Sequence, residues 1–303
     1  GKSDKFLFIV GPCSIHNIEE AKIYGNMLKN ISYKVEDKIL IVMRTYFEKP
    51  RTTVGWKGYI NDPYLNNSHN VNVGLRNARE LLIYLNTIGL PCGCEILNTI
   101  TPQYLLDLIS WGSIGARTYE SQIHRQLVSG LSVPVGFKNG TSGDIEGACN
   151  SIKSSMNSHT FMGINTNGKA SLCHTKGNMN THLILRGGKD RPNYYEFDVK
   201  NAEKTMDEKN IKPSIVIDCS HGNSRKLYYK QENVLNNVLE QIKESRQNGG
   251  ENTIKGVMLE SNIYDGSQNL VLDSNLKYGV SITDPCLNIE DTEEIIMNFY
   301  NKL

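Results

Sequence analysis

Ten residues with reactive or charged side chains stand at or just beyond the ends of short apolar runs: Cys13, Arg44, Glu95, Arg117, Lys138, Arg186, Asp218, His221, Glu260 and Asp284. They sort by chemical type. Cys13, His221, Glu260 and Asp284 offer one thiolate, one imidazole and two carboxylates, a mixed donor set suited to Mn²⁺, Fe²⁺, Co²⁺ or Zn²⁺ rather than to the oxygen-only sites of Mg²⁺ or Ca²⁺. Arg44, Arg117, Lys138 and Arg186 are cations, joined by Lys49 and Arg51 in a following loop. Several cations drawn into one cavity repel each other and lose hydration, so they call for an anionic occupant such as phosphate or carboxylate. Glycine-rich turns beside them (GARTYE, FKNGTSG, LRGGKD) let backbone N–H groups approach the same anion. Taken singly, each residue also has a plainer reading: a thiol packed after a strand, a solvated loop acid, or an ion pair between strands. Gly187 and Gly188 equally serve the turn alone.

The elements that must position these groups follow from periodicity. Eight β-branched apolar runs predict strands over Phe6–Cys13, Ile39–Phe47, Pro91–Leu97, Ile114–Tyr119, Val133–Asn139, His182–Gly188, Ser214–His221 and Gly256–Ser261. Most are apolar at nearly every position, as expected of parallel strands buried on both faces. Amphipathic stripes lie between them. The first carries Ile18, Ala21, Tyr24, Leu28 and Ile31 after an Asn17 cap; the others are Leu75–Leu85, Tyr104–Ile109, Ile123–Leu127, Ile145–Ile152, Val199–Met206, Val234–Ile242 and Thr292–Phe299. Eight strand-then-helix units without a composition break predict an α/β chain in which residues 1–303 form a single (β/α)8 TIM barrel. In that architecture functional groups gather at the C-terminal strand ends, and closure makes strands one, seven and eight neighbours. The donor set then falls at the closing seam and the cations on strands two, four, five and six. Two segments lie outside the alternation. Glu48–Asn70 reads as a long functional loop. Residues 159–174, where FMGIN and KASLC flank a TNG turn, read as an inserted β-hairpin.

Composition narrows the function classes. A chain of 303 residues with net charge +1 has no basic surplus for nucleic acid, and no apolar run approaches the ~18 residues of a membrane span. The start, Gly1 to Phe8, lacks the shape of a signal peptide. Seven cysteines, an odd number with several in strand-like runs, argue for reduced thiols and hence a cytoplasmic location.

Longer motifs carry a resemblance. GPCSIH (11–16), MRTYFEKPRTTVGWKGYINDP (43–63), GARTYESQIHRQL (115–127), VGFKNGT (135–141), LRGG (185–188), DCSHGNS (218–224) and ITDPC (282–286) resemble, in order and over almost the whole chain, the type I 3-deoxy-D-arabino-heptulosonate 7-phosphate (DAHP) synthases. KPRTT with VGWKG is far more specific than a short glycine pattern. The resemblance implies metal-dependent condensation of phosphoenolpyruvate with D-erythrose 4-phosphate and water, giving DAHP and phosphate at the first step of the shikimate pathway to aromatic amino acids. It implies one divalent metal on Cys13, His221, Glu260 and Asp284, the four residues already grouped by type. It places phosphoenolpyruvate on Arg44, Lys49, Arg117, Lys138 and Arg186, and the phosphate of erythrose 4-phosphate near Arg51 and Thr52. Lys138 and Glu95 are the candidates for handling the water and its proton, with His221 beside them; Glu95 is equally read as a charge partner of Lys49.

Feedback-regulated members of that family carry an N-terminal extension, expected here to be absent or truncated, and an inserted hairpin, which is present in the sequence. At the position where phenylalanine-sensitive relatives have serine, this chain has Gly163, which favours tyrosine as effector or else merely relieves crowding in the hairpin. A homodimer or homotetramer is expected. Other readings of the same residues are a KDO 8-phosphate synthase type of condensation, a metal-assisted phosphohydrolase, and a non-catalytic phosphometabolite-binding barrel.

Overall fold

In the computed structural model, residues 3–165, 167–271 and 275–303 are described, and the statements below concern those. Ten strands run β1 (Phe6–Gly11), β2 (Ile39–Arg44), β3 (Cys92–Glu95), β4 (Trp111–Ile114), β5 (Val135–Lys138), β6 (Thr160–Ile164), β7 (Ala170–His174), β8 (Thr181–Leu185), β9 (Ile215–Asp218) and β10 (Ile254–Glu260). Eight of them close a parallel barrel in the order β1-β10-β9-β8-β5-β4-β3-β2. The remaining two, β6 and β7, form a separate antiparallel hairpin in the register Met162↔Leu172. Thr166 of its TNG turn lies outside the described residues.

The helices are α1 (Ile18–Val35), α2 (Val71–Thr87), α3 (Pro102–Leu105), α4 (Gln122–Ser129), α5 (Glu146–Ser155), α6 (Glu196–Glu208), α7 (Gln231–Gln247) and α8 (Ile289–Lys302). The Asn17 cap is present: its side chain accepts from the N–H groups of Glu19 and Glu20 at 3.0 and 3.2 Å, an interaction worth about 1 kcal/mol. At the other end of the chain α8 seals the seam, its Phe299 lying 5.1 Å ring to ring from both Phe6 and Phe8 of β1. No helix is long and apolar enough to cross a membrane, and all seven cysteines are free thiols.

Several sequence boundaries move. The fourth strand is Trp111–Ile114, not Ile114–Tyr119, because Gly112 and Ser113 hide a buried strand while GARTYE folds into successive turns. The third helix is one α-turn, Pro102–Leu105, continued by a 3-10 turn over Leu106–Leu108. Several strands are also shorter than their apolar runs: β1 stops at Gly11 and β8 at Leu185, so Cys13 and Arg186 stand just past the sheet.

What positions the site is the period of two inside the barrel. Ile9, Val42, Trp111, Ile184, Val216 and Met258 form an interior cluster separate from the larger core between strands and helices. Side chains two apart on a strand share a face. The next inward positions after Val42, Ile184, Val216 and Met258 are therefore Arg44, Arg186, Asp218 and Glu260, while Lys138 follows Gly136 and Glu95 follows Gly93. A dry plug thus supports a charged ring at the C-terminal mouth.

Candidate active site

A cavity of about 720 Å³ opens over this mouth. Cys13, His221 and Asp284 line one side; Lys49, Arg51, Thr52, Glu95, Arg117, Lys138 and Arg186 line the rest. Arg44 and Glu260 are not on its wall. Both are buried inside the barrel, where Arg44 Nη2 donates to Glu260 Oε1 at 3.0 Å. Gly163 lies away from the cavity on β6, where an added Cβ would fall 2.5 Å from Cys173 Sγ.

At the seam, ligand atoms of Cys13, Glu260 and Asp284 all lie within 4.8 Å of one another. His221 Nε2 is 3.8 Å from Glu260 Oε1. Its other ring nitrogen is engaged, with Nδ1 at 2.7 Å from Ser220 Oγ and 3.0 Å from Asp218 Oδ2, which leaves Nε2 directed toward the donor group. A carboxylate behind a ligating imidazole is the usual means of fixing its tautomer and ring orientation. The set therefore fits one divalent ion of the borderline transition series: soft thiolate, imidazole and two hard oxygens, with cations held beside the acids. Lys49 Nζ donates to Cys13 O at 2.9 Å and approaches its Sγ at 3.3 Å, while Lys226 Nζ donates to Asp284 Oδ1 at 3.0 Å.

Charge states follow the surroundings. Burial and then Glu260 push the Cys13 thiol above its ordinary pKa, with Lys49 opposing. Asp284 sits below the usual carboxylate range, because His221 and Lys226 more than offset the burial that would raise it. Lys49 is held above its ordinary value; burial works against its charge, but Cys13, Glu95 and Glu260 outweigh it. Burial pulls Arg186 below its ordinary value, with Asp218 opposing and Arg117 reinforcing the shift. A cation that burial disfavours and a second cation repels is poised to accept an anion.

The cationic wall is held by the backbone as much as by charge. Arg186 N–H donates to Asn139 Oδ1 at 2.8 Å, and Asn139 Nδ2 returns to Gly187 O at 3.2 Å, so the turns after β5 and β8 are tied together. Arg117 Nε donates to Thr52 Oγ1 at 3.0 Å, which joins the KPRTT loop to the turn after β4. Lys138 Nζ donates to Asp218 Oδ2 at 3.0 Å, both residues being buried. Glu95 has an Oε1 buried with no partner, beside Gly115, where a Cβ would come within 2.2 Å of it.

Sequence reasoning did not assign roles to Asp218, Ser220, Lys226 or Gln231. Asp218 was identifiable as the inward residue two after Val216. Gln231, at the start of α7, clamps the backbone of Glu260: its Oε1 accepts the Glu260 N–H at 2.8 Å and its Nε2 donates to Glu260 O at 2.9 Å. Nothing in the local sequence announces that pairing.

Comparison with known proteins points the same way. Residues 1–297 match the model described as the DAHP synthetase I family. The Tyr-sensitive phospho-2-dehydro-3-deoxyheptonate aldolase of Salmonella typhimurium is 48% identical over 304 residues, covering 100% of this chain and 84% of that protein. The Phe-sensitive enzyme of that name from Escherichia coli is 48% identical over 301 residues, covering 99% and 84%. The solved structure of a phospho-2-dehydro-3-deoxyheptonate aldolase from Francisella tularensis superposes with a TM-score of 0.95 at 47% identity, over 99% of this chain and 86% of that one. With its barrel, its charged mouth and this likeness over its full length, the chain belongs to the DAHP synthetase I family of enzymes.

Proposed function

We propose that the enzyme condenses phosphoenolpyruvate with D-erythrose 4-phosphate and water to give DAHP and phosphate, the entry reaction of the shikimate pathway. The observation that carries this reading is the division of one cavity into a donor group at the seam and a cationic wall facing it. Relatives bearing the name phospho-2-dehydro-3-deoxyheptonate aldolase support the choice of substrates.

In the proposed chemistry C3 of phosphoenolpyruvate attacks the aldehyde carbon of the sugar, whose oxygen takes up a proton. Water adds at C2, and phosphate leaves with its bridging oxygen by C–O cleavage. Arg117, Arg186 and Lys138 hold the phosphate of phosphoenolpyruvate, and Lys49 takes its carboxylate, with Arg44 lending charge from inside the barrel. Arg51 and Thr52 receive the sugar phosphate. Holding both substrates fixes the reacting carbons in a near-attack arrangement. Lys138 is placed to give a proton and Glu95 to orient the water and take one, the unpartnered Oε1 being free for that purpose. Cys13, His221, Glu260 and Asp284 would hold a divalent ion (Mn, Fe, Co or Zn), which when bound supplies a Lewis acid for the aldehyde oxygen.

The deciding assay measures phosphate released from phosphoenolpyruvate with and without erythrose 4-phosphate. Release is expected only with both substrates and is expected to stop in excess EDTA and return with added metal. Release without the aldose would make the protein a phosphohydrolase, and turnover of arabinose 5-phosphate instead would make it a KDO 8-phosphate synthase type.

An aromatic amino acid is proposed as effector, tyrosine first. Relatives named Tyr-, Phe- and Trp-sensitive support the class of effector. Gly163 has a second reason to be small, the contact an added Cβ would make with Cys173, so inhibition by each amino acid must be measured on the wild type and on G163S. The expected assembly is a homodimer or homotetramer, testable by light scattering.

A further inference from the structure

We propose that Asp218 is a positioning residue that couples the two halves of the cavity, so that an ion in the donor half and an anion on the cationic wall each tighten binding of the other. The inference rests on the functional reading above and concerns how its two half-sites communicate.

Asp218 does not line the cavity, yet it touches a residue of each half that does. Its Oδ2 accepts from Lys138 Nζ at 3.0 Å and lies 3.0 Å from His221 Nδ1. Its Oδ1 accepts from Ser220 N–H at 3.0 Å and from Ser220 Oγ at 2.6 Å, and the same Oγ is 2.7 Å from His221 Nδ1. One carboxylate is therefore shared between the cation of the anion site and the imidazole of the donor site, once directly and once through a hydroxyl. The backbone beneath is pinned, since Asn223 Nδ2 donates to Asp218 O at 2.9 Å. With the side chain wholly buried, no water competes for its lone pairs.

Sharing makes the two partners rivals for the same negative charge. An ion taken by His221 Nε2 polarises the ring, so Nδ1–H becomes a stronger donor and draws more of the Asp218 charge, directly and through Ser220. Lys138 is then held less firmly and can turn its ammonium toward an anion. In reverse, an anion that draws Lys138 away leaves Asp218 to His221, whose Nε2 becomes the better donor. Linkage requires the two effects to be equal. Direct attraction between ion and anion adds to the coupling in every variant, so the change caused by altering Asp218 or Ser220 is what isolates the shared carboxylate.

The test measures Mn²⁺ dissociation with and without phosphoenolpyruvate by equilibrium dialysis, and phosphoenolpyruvate dissociation with and without Mn²⁺ by calorimetry, in wild type, D218N, S220A and S220T. In the wild type each ligand is expected to tighten the other by about fivefold or more, with equal factors in the two directions. D218N and S220A are expected to lower that factor by about threefold or more, and S220T to restore it. A purely structural role would weaken both affinities and leave the ratio unchanged. S220A and S220T, which keep every charge, decide the matter if D218N does not fold. Normal phosphoenolpyruvate binding with an unchanged ratio in both D218N and S220A overturns the inference and leaves the function standing; failure of the wild type to bind phosphoenolpyruvate overturns the function and the inference with it.

Discussion

A carboxyl oxygen buried without a partner forfeits its hydration, and where it also lines a cavity a bound water or substrate can supply the missing bond. Glu95 is in that position: Oε1 is buried and unpaired, Gly115 leaves the space it occupies, and the side chain lines the cavity beside Lys49. Replacing Glu95 with Gln keeps the shape and makes the unpaired group neutral. E95Q is therefore expected to melt at the same temperature as wild type or a few degrees higher, while kcat falls by about 100-fold or more. Thermal unfolding and steady-state rates measured on one preparation check this, and a variant less stable with unchanged kcat would make Glu95 a structural partner of Lys49. Arg44 shows the other side of residue-scale chemistry. Its type and position at a strand end suggested a substrate contact; it stands behind the cavity wall, where Nη2 donates to Glu260, a partner 216 residues away in the sequence.

At the scale of elements, the loops after β8 and β9 work as a pair. Gly187 has φ +79°, and a Cβ there would fall 2.4 Å from the carbonyl carbon of Gly222; Gly222 N–H in turn donates to Arg186 O at 3.0 Å. The two turns that carry Arg186 and His221 thus touch backbone to backbone, which a side chain on either would prevent. G187A is expected to cost about 2 kcal/mol or more in urea unfolding and to weaken both Mn²⁺ and phosphoenolpyruvate binding, because it parts the loops as well as straining one. Equal affinity for both ligands in a destabilised G187A would mean the contact serves stability alone. The sequence disclosed the alternation of strand and helix because the hydrophobic period switches between about two and 3.6. It concealed where β4 begins, since WGSI lacks the β-branched signature, and it made runs such as FLFIVGPC look longer than the strands they contain. The four donor residues were legible by type. Their links to Asp218, Gln231 and Lys226 were not, because each depends on which strand ends closure brings together. One local signal was available: in VMR, ILR, VID and MLE a charge follows an inward apolar residue by two positions.

Across the whole molecule the barrel has two ends of opposite character, and the end away from the cavity carries its own titratable group. Trp111, the first residue of β4, donates its Nε1–H to His182 Nε2 at 3.1 Å near the start of β8. The bond requires a neutral imidazole with a free lone pair on Nε2. Burial lowers the pKa of His182 from 6.5 to about 4, with a backbone bond at Asn180 opposing. Unfolding returns the group to its ordinary value, so below pH 6.5 the unfolded chain binds a proton that the folded chain refuses. The stabilisation is complete above pH 6.5 and is lost as pH falls toward 4, amounting to about 3 kcal/mol for a shift of this size. H182Q supplies an amide oxygen as acceptor for Trp111 and has nothing to titrate. Urea unfolding at intervals between pH 7.5 and 4.5 is expected to show wild type losing about 2–3 kcal/mol relative to H182Q over that range. Because the donor group lies at the opposite mouth, the difference is expected to be the same with and without Mn²⁺. Parallel curves for the two proteins would mean that His182 gains its proton in the folded state and that the Trp111 bond does not hold the ring neutral.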